Sequence, residues 1–172
     1  MRVLQVFDRK DYSPYARRTV RRASRAIILR AGEIAMVKSE REGFYKFPGG
    51  GIESGETREG ALCREVREET GLIVRGDTIR PFGIIREVHS DLFRHGCVFE
   101  QVSYYYRCEV LNEIDKPELD AYESELGFKL VFVPIATAIA ENTRHAAGMR
   151  TSFLRRELRV LEMLESELRA RA

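Results

Sequence analysis

The spacing of apolar residues changes period several times along this chain, and each change marks an element. Val3, Leu4, Val6 and Phe7 predict a short first strand. Apolar runs at 26–29 and 34–37 flank Ala31-Gly32-Glu33 and read as a β-hairpin. Residues 44–47 predict a third short strand, stopped by Pro48 and three consecutive glycines. The period then lengthens. Leu62 and Val66, four apart, give one apolar face to a helix with Thr57 as N-cap and Gly71 just past its end. Strands follow at 72–74, 79–88 and 98–110, the last rich in aromatics with Tyr104-Tyr105-Tyr106. Another strand is expected at 129–133, and Pro134 opens a helix over 135–141. From Thr151 onward, Leu154, Leu158, Leu161, Leu164 and Leu168 repeat at helical spacing. They predict a long C-terminal amphipathic helix that packs on the sheet, a homodimer contact being the alternative use of the stripe. This order of elements predicts an α/β sandwich with a mixed sheet.

Composition narrows the setting. With 172 residues, 44% of them apolar, residues 1–172 are expected to form a single domain with a sizeable core. Within it, residues 1–25 are an N-terminal extension to which no role is assigned. Arg17, Arg18, Arg21, Arg22 and Arg25 make a basic stretch there, read as a solvated face, with phosphate steering as the alternative. Overall, 29 basic residues face 27 acidic ones, a net charge of +2 that calls for no nucleic-acid partner. Cys63, Cys97 and Cys108 are odd in number and lack metal-ligand spacing, as expected of reduced thiols. No apolar run approaches the ~20 residues of a membrane span, and the first residues carry no leader pattern. A cytoplasmic location without membrane contact is the expectation.

The helix between Thr57 and Gly71 breaks a local rule. Glu65, Glu68 and Glu69 stand at i, i+3 and i+4, on one face. Glu65 and Glu69 repel each other, and all three crowd the C-terminal end, where the helix dipole disfavours anions. Arg64 and Arg67 soften the repulsion, so a solvated, salt-bridged helix is one reading. A divalent cation is the other, because it turns a repulsive carboxylate cluster into a ligand set.

The spacing around that helix carries a resemblance. From Gly50, five residues precede Glu56 and seven more precede Arg64-Glu65, followed by Val66, Arg67, Glu68-Glu69, Thr70, Gly71 and Leu72. The run matches every specified position of the Nudix box, and Phe47-Pro48-Gly49-Gly50-Gly51 is similar to the segment that usually leads into it. The chain is therefore identified as resembling the Nudix hydrolases, most firmly over 26–72. The resemblance implies an α/β/α sandwich around a mixed β-sheet, with the box as loop–helix–loop. It implies that Glu65, Glu68 and Glu69, with the backbone carbonyl of Gly50, hold Mg²⁺ or Mn²⁺. Arg64 would orient these carboxylates, Glu56 would brace the loop by pairing with Arg64, and Gly71 would close the helix.

Members of this family typically cleave a nucleoside diphosphate linked to another group, so a nucleotide-like small molecule is the expected substrate. Hydrolysis of a phosphoanhydride asks mainly for positioning and charge neutralisation. A non-catalytic nucleotide sensor on the same fold is the alternative. Glu65, or Glu123 or Glu125 on a later loop, is the candidate general base. His89-Ser90-Asp91 is contiguous and lacks triad geometry. The proline associated with ADP-ribose hydrolases is missing at 86–88, and the tyrosine of dinucleoside polyphosphate hydrolases is missing at 88–90. Phe44, Tyr45 and Phe47 are candidates for base stacking or core packing, and Arg86 and Arg94 for phosphate contacts.

Overall fold

The computed structural model describes residues 1–14, 16–146 and 153–170; Thr151, the expected start of the last helix, lies outside them. The order of elements is β1 (Val3–Asp8), β2 (Arg17–Ile27), β3 (Leu29–Arg30), β4 (Glu33–Ser39), β5 (Tyr45–Lys46), α1 (Arg58–Thr70), β6 (Leu72–Val74), a 3₁₀ turn (Gly76–Thr78), β7 (Arg80–Ser90), β8 (Cys97–Arg107), β9 (Val110–Ile114), α2 (Ala121–Glu125), β10 (Phe128–Pro134), α3 (Ile135–Ala146) and α4 (Phe153–Arg169).

One four-stranded sheet runs β1-β7-β8-β2 and is mixed: β7 and β8 form an antiparallel hairpin, with β1 parallel to β7 and β2 parallel to β8. The second sheet is β10-β4-β3, with β5 on β4, and β6 pairs with β9. The hairpin expected around Ala31-Gly32-Glu33 is present as β3 and β4. Its first arm, though, is largely the end of β2, an 11-residue strand that takes in the basic stretch.

Why the strands read as continuous apolar runs is clear from where alternate residues go. Ile27, Ile34, Met36 and Tyr105 join one core cluster with Ile135, Ala138, Val160, Leu161 and Leu164 of α3 and α4. Their neighbours Ala26, Ile28, Ala35, Tyr104 and Tyr106 point the other way, into a cluster with Leu62 and Val66 of α1. Both faces are thus covered by helices, the arrangement that demands strands apolar on both sides. The expected α/β/α sandwich is the observed one. In the leucine stripe, Leu154, Leu161 and Leu164 are buried within the chain, whereas Leu168 is exposed.

Short β5 is held on the core by polar side chains. Buried Asn142 accepts from Tyr45 N at 2.8 Å and donates to Tyr45 O at 2.9 Å. Buried Glu157 accepts from Phe47 N at 2.8 Å. These bonds satisfy backbone groups that would otherwise be buried unpaired, and they fix the start of the glycine-rich loop. The loop then lies along β2, with Ala26 N donating to Pro48 O and Ser24 N to Gly50 O.

Candidate active site

Helix α1 is fixed at both ends by its sequence. Thr57 Oγ1 accepts from Gly60 N at 3.0 Å, and Gly71, at φ 75°, returns its N–H to Arg67 O. A side chain at Gly71 would place Cβ 2.1 Å from Asp115 O, so the turn needs glycine twice over. Leu62 and Val66 hold the apolar face down and leave the acidic positions along the glycine-rich loop.

Arg64 ties the acidic positions together. Its Nε and Nη2 donate to the two oxygens of Glu56 at 2.9 and 3.0 Å, a bidentate pair. Nη1 donates to Glu65 Oε1 and Glu68 Oε2, both at 2.9 Å, and Nη2 also reaches Gly51 O at 3.0 Å. Those bonds to Arg64 hold the Glu56 carboxyl below its ordinary range.

The three box glutamates do not face one way. Glu65 and Glu69 line a cavity of about 490 Å³ beside Gly50. Glu68, drawn by Arg64 one turn earlier, lines a separate cleft with Asp115 and Lys116. Burial pushes the Glu65 carboxyl up, with the Glu69 and Glu68 charges adding to it and Arg64 opposing. Glu69, only 2% exposed, accepts from Gly49 N at 2.9 Å and from Lys46 Nζ at 2.6 Å. Among the described residues, no three His, Cys, Asp or Glu side chains converge on a common point at metal-binding spacing.

Two glutamates on the later loop were candidates, and the structure separates them. Glu123 lines the cavity, 3.9 Å from Lys46 Nζ, on the five-residue α2 capped by Asp120. Burial, and next the neighbouring Glu69 carboxylate, push its carboxyl up to about 7. Glu125 is exposed and pairs with Arg41, outside the cavity lining. Phe44, Tyr45 and Phe47 are all core residues, Phe44 alone also lining the cavity. Arg86 pairs with Glu100, and Arg94 reaches Thr19; neither lines the cavity.

Arg21 and Arg25, from the basic stretch read as a solvated face or as steering phosphate, reach the cavity from β2. Glu87, Gln101 and Arg156, also in the lining, carried no sequence signal, nor did Lys46. Arg25 Nη1 donates to the carbonyls of Gly49 and Phe47, holding the loop from behind. The signal for the two β2 arginines was their spacing: residues 21, 23 and 25 share one face of a strand, and the backbone of Ala23 pairs edge to edge with Gly51.

A mixed α/β sandwich with this box on its first helix defines a class of protein. The Nudix domain model matches residues 20–155, most of the chain, and the chain belongs to that family. Among curated relatives, it is 37% identical over 75 residues to an ADP-ribose pyrophosphatase of Methanocaldococcus jannaschii, covering 42% of this chain and 43% of that one. It is 49% identical over 43 residues to an 8-oxo-dGTP diphosphatase of Proteus vulgaris, covering 25% and 38%. The chain thus spans less than half the length of either relative. Among solved structures, a Nudix hydrolase from Nitrosomonas europaea superposes with a TM-score of 0.57 at 20% identity, over 80% of this chain and 85% of that one. A MutT Nudix hydrolase from Burkholderia pseudomallei gives 0.50 at 22% identity, over 69% and 85%. Both likenesses are of fold. No helix among the described residues is long and apolar enough to cross a membrane.

Proposed function

We propose that this chain is a divalent-metal-dependent hydrolase that splits a phosphoanhydride bond in a nucleoside diphosphate linked to another group. The observation that carries the reading is the cavity wall formed by Gly50, Glu65 and Glu69, with Glu123 also lining the cavity. Nudix hydrolases generally use divalent metals, and the donor set here suits Mg²⁺ or Mn²⁺, hard cations that take carboxylate and carbonyl oxygens. Gly50 supports the fit. A Cβ there would stand 2.0 Å from Glu65 Oε2, so only glycine leaves the backbone and carboxylate this close. Glu65, Glu69 and the Gly50 carbonyl would hold the ion, joined by Glu68 if its carboxylate leaves Arg64. Bound there, the cation supplies charge neutralisation and Lewis acidity toward phosphate oxygens.

The chain's own residues supply the rest. Arg64 keeps Glu65 and the Gly51 carbonyl in fixed relation, so the site needs little reorganisation. Arg21, which lines the cavity beside Gly51, is a candidate guanidinium for a phosphate oxygen. Glu123 is the candidate base, because a carboxyl raised to about 7 accepts a proton from water better than an ordinary one does. Lys46, between Glu69 and Glu123, offsets part of the repulsion between the two carboxylates. The relatives' names suggest two substrate types, ADP-ribose and an oxidised deoxynucleoside triphosphate. Neither name carries over across segments this short.

The test is a panel of nucleoside triphosphates, nucleotide sugars, ADP-ribose and diadenosine polyphosphates, incubated with Mg²⁺ or Mn²⁺ beside Glu69→Gln. One substrate class is expected to be cleaved, with the variant down roughly 10²–10³-fold, the scale on which removing a charge-stabilising group acts. Binding of a nucleotide without turnover of any would instead favour a sensor.

A further inference from the structure

The cavity wall opposite α1 is a sheet face with polar residues in a row. Register sets Glu87 of β7 beside Gln101 of β8, and Gln101 beside Arg21 of β2. With strands ~4.8 Å apart, the Cα atoms of Arg21 and Glu87 stand about 10 Å apart. Arg21 Nη1 donates to Gln101 Oε1 at 3.3 Å, and a Cβ at Gly51 would lie 3.5 Å from Arg21 Nη2. The row therefore starts at the glycine-rich loop and ends at Glu87.

Glu87 is only 2% exposed, yet its hydrogen bonding is half finished. Oε2 accepts from Arg156 Nη1 at 2.6 Å, whereas Oε1 has no hydrogen-bond partner among the described residues. Arg156 is shared, since it also binds Glu157 at 2.9 Å, and Glu157 is committed to Phe47 N. A buried acceptor left unpaired is costly to the fold. An ionised carboxylate only accepts and repels phosphate oxygens, so the partner that fits it is an O–H or N–H group. The next row of the same face is His89 and Phe99, whose rings lie 5.4 Å apart, tilted 39° to each other, and both line the cavity.

We propose that Glu87 is a specificity-determining residue: its second carboxylate oxygen accepts a hydrogen bond from a substrate group at the end of the row away from the glycine-rich loop. The site thereby selects a nucleoside diphosphate derivative that presents a hydroxyl or an N–H there, and rejects one that puts a phosphate in that position. This rests on the hydrolase reading above.

The donor has two sources, sugar or base, and matched ligands separate them. GTP against ITP removes a base amine, GTP against dGTP removes a ribose hydroxyl, and ADP-ribose against the β-methyl ester of ADP removes the distal sugar hydroxyls. Each pair is compared by kcat, KM and thermal stabilisation of the full chain, in wild type and in Glu87→Gln. Arg156 will hold the glutamine carbonyl and turn its NH₂ to the cavity, so this variant exchanges the free acceptor for a donor. In wild type, one pair is expected to differ about 10–100-fold in kcat/KM, mostly through KM, because a site built around a hydrogen bond rejects the ligand that lacks it. In Glu87→Gln that difference is expected to vanish or reverse. Hydrolysis with all three pairs within about 3-fold in wild type overturns the proposal without any variant. An equal loss on every ligand in Glu87→Gln overturns it too, as a purely structural role. Discrimination in binding without turnover leaves Glu87 as the reader and removes the hydrolase reading instead.

Discussion

Glu123 has a consequence that can be read without any substrate. Its carboxyl is raised from an ordinary 4.5 to about 7, chiefly by burial. Between those values the folded chain keeps a proton there that the unfolded chain has already released. Stability from this group is therefore fully present below pH 4.5 and is lost as the pH rises through 7. Glu123→Gln, which stays neutral, escapes that loss. In metal-free buffer, the melting temperature of the variant relative to wild type is expected to rise from pH 5 to pH 8. A flat difference between those pH values would place the Glu123 titration elsewhere. At this scale the motif spacing pointed to Gly50, Glu65 and Glu69, which line one cavity with Glu123 of the later loop. It was silent on Lys46, Glu87 and Arg156, because an ion pair such as Arg156 with Glu87 joins residues far apart in the chain and leaves no local pattern.

Helix α1 shows what the element adds to its residues. Thr57→Ala removes one capping bond and is expected to cost about 1 kcal/mol. Gly71→Ala forces a side chain into the left-handed region and against Asp115 O, and is expected to cost roughly 2 kcal/mol or more. Urea unfolding of the two variants checks the order; a milder Gly71→Ala would mean that the Asp115 backbone yields easily. Both ends of this helix were legible from Thr57 and Gly71. The basic stretch was not, because five arginines among nine residues read as a charged surface. The period-two placement of Arg21, Ala23 and Arg25 becomes visible only when β2 is taken as a strand. Sequence spacing put Glu68 with Glu65 and Glu69; Arg64 Nη1 binds Glu65 and Glu68 together, while Glu68 lines the second cleft.

For the molecule as a whole, the two core clusters meet on opposite faces of the same strands, and the C-terminal helix joins one of them to the site. Glu157 of α4 is fully buried, holds the Phe47 amide of the loop, and pairs with Arg156. Glu157→Ala leaves a buried guanidinium and a buried N–H short of partners. It is expected to destabilise the fold by roughly 3 kcal/mol, measured as a lower urea midpoint with an unchanged slope. A loss below about 1 kcal/mol would mean that water replaces the carboxylate. That the strands are covered on both sides was legible in the alternation at 26–28 and 104–106. The linkage of α4 to the glycine-rich loop was not, because the leucine stripe announces only the helix's apolar face.

The parallel pairing of the first strands bears on how the chain is made. Val3 pairs with Ile84 and Arg17 with Cys97, so β1 and the β8-facing edge of β2 wait for about 80 further residues to be synthesised. A ribosome delivering this protein from its amino end releases two unpaired strand edges well before the β7–β8 hairpin that receives them. Until that hairpin emerges, the nascent chain carries its own exposed templates for wrong pairing, and chaperone demand should peak in that interval.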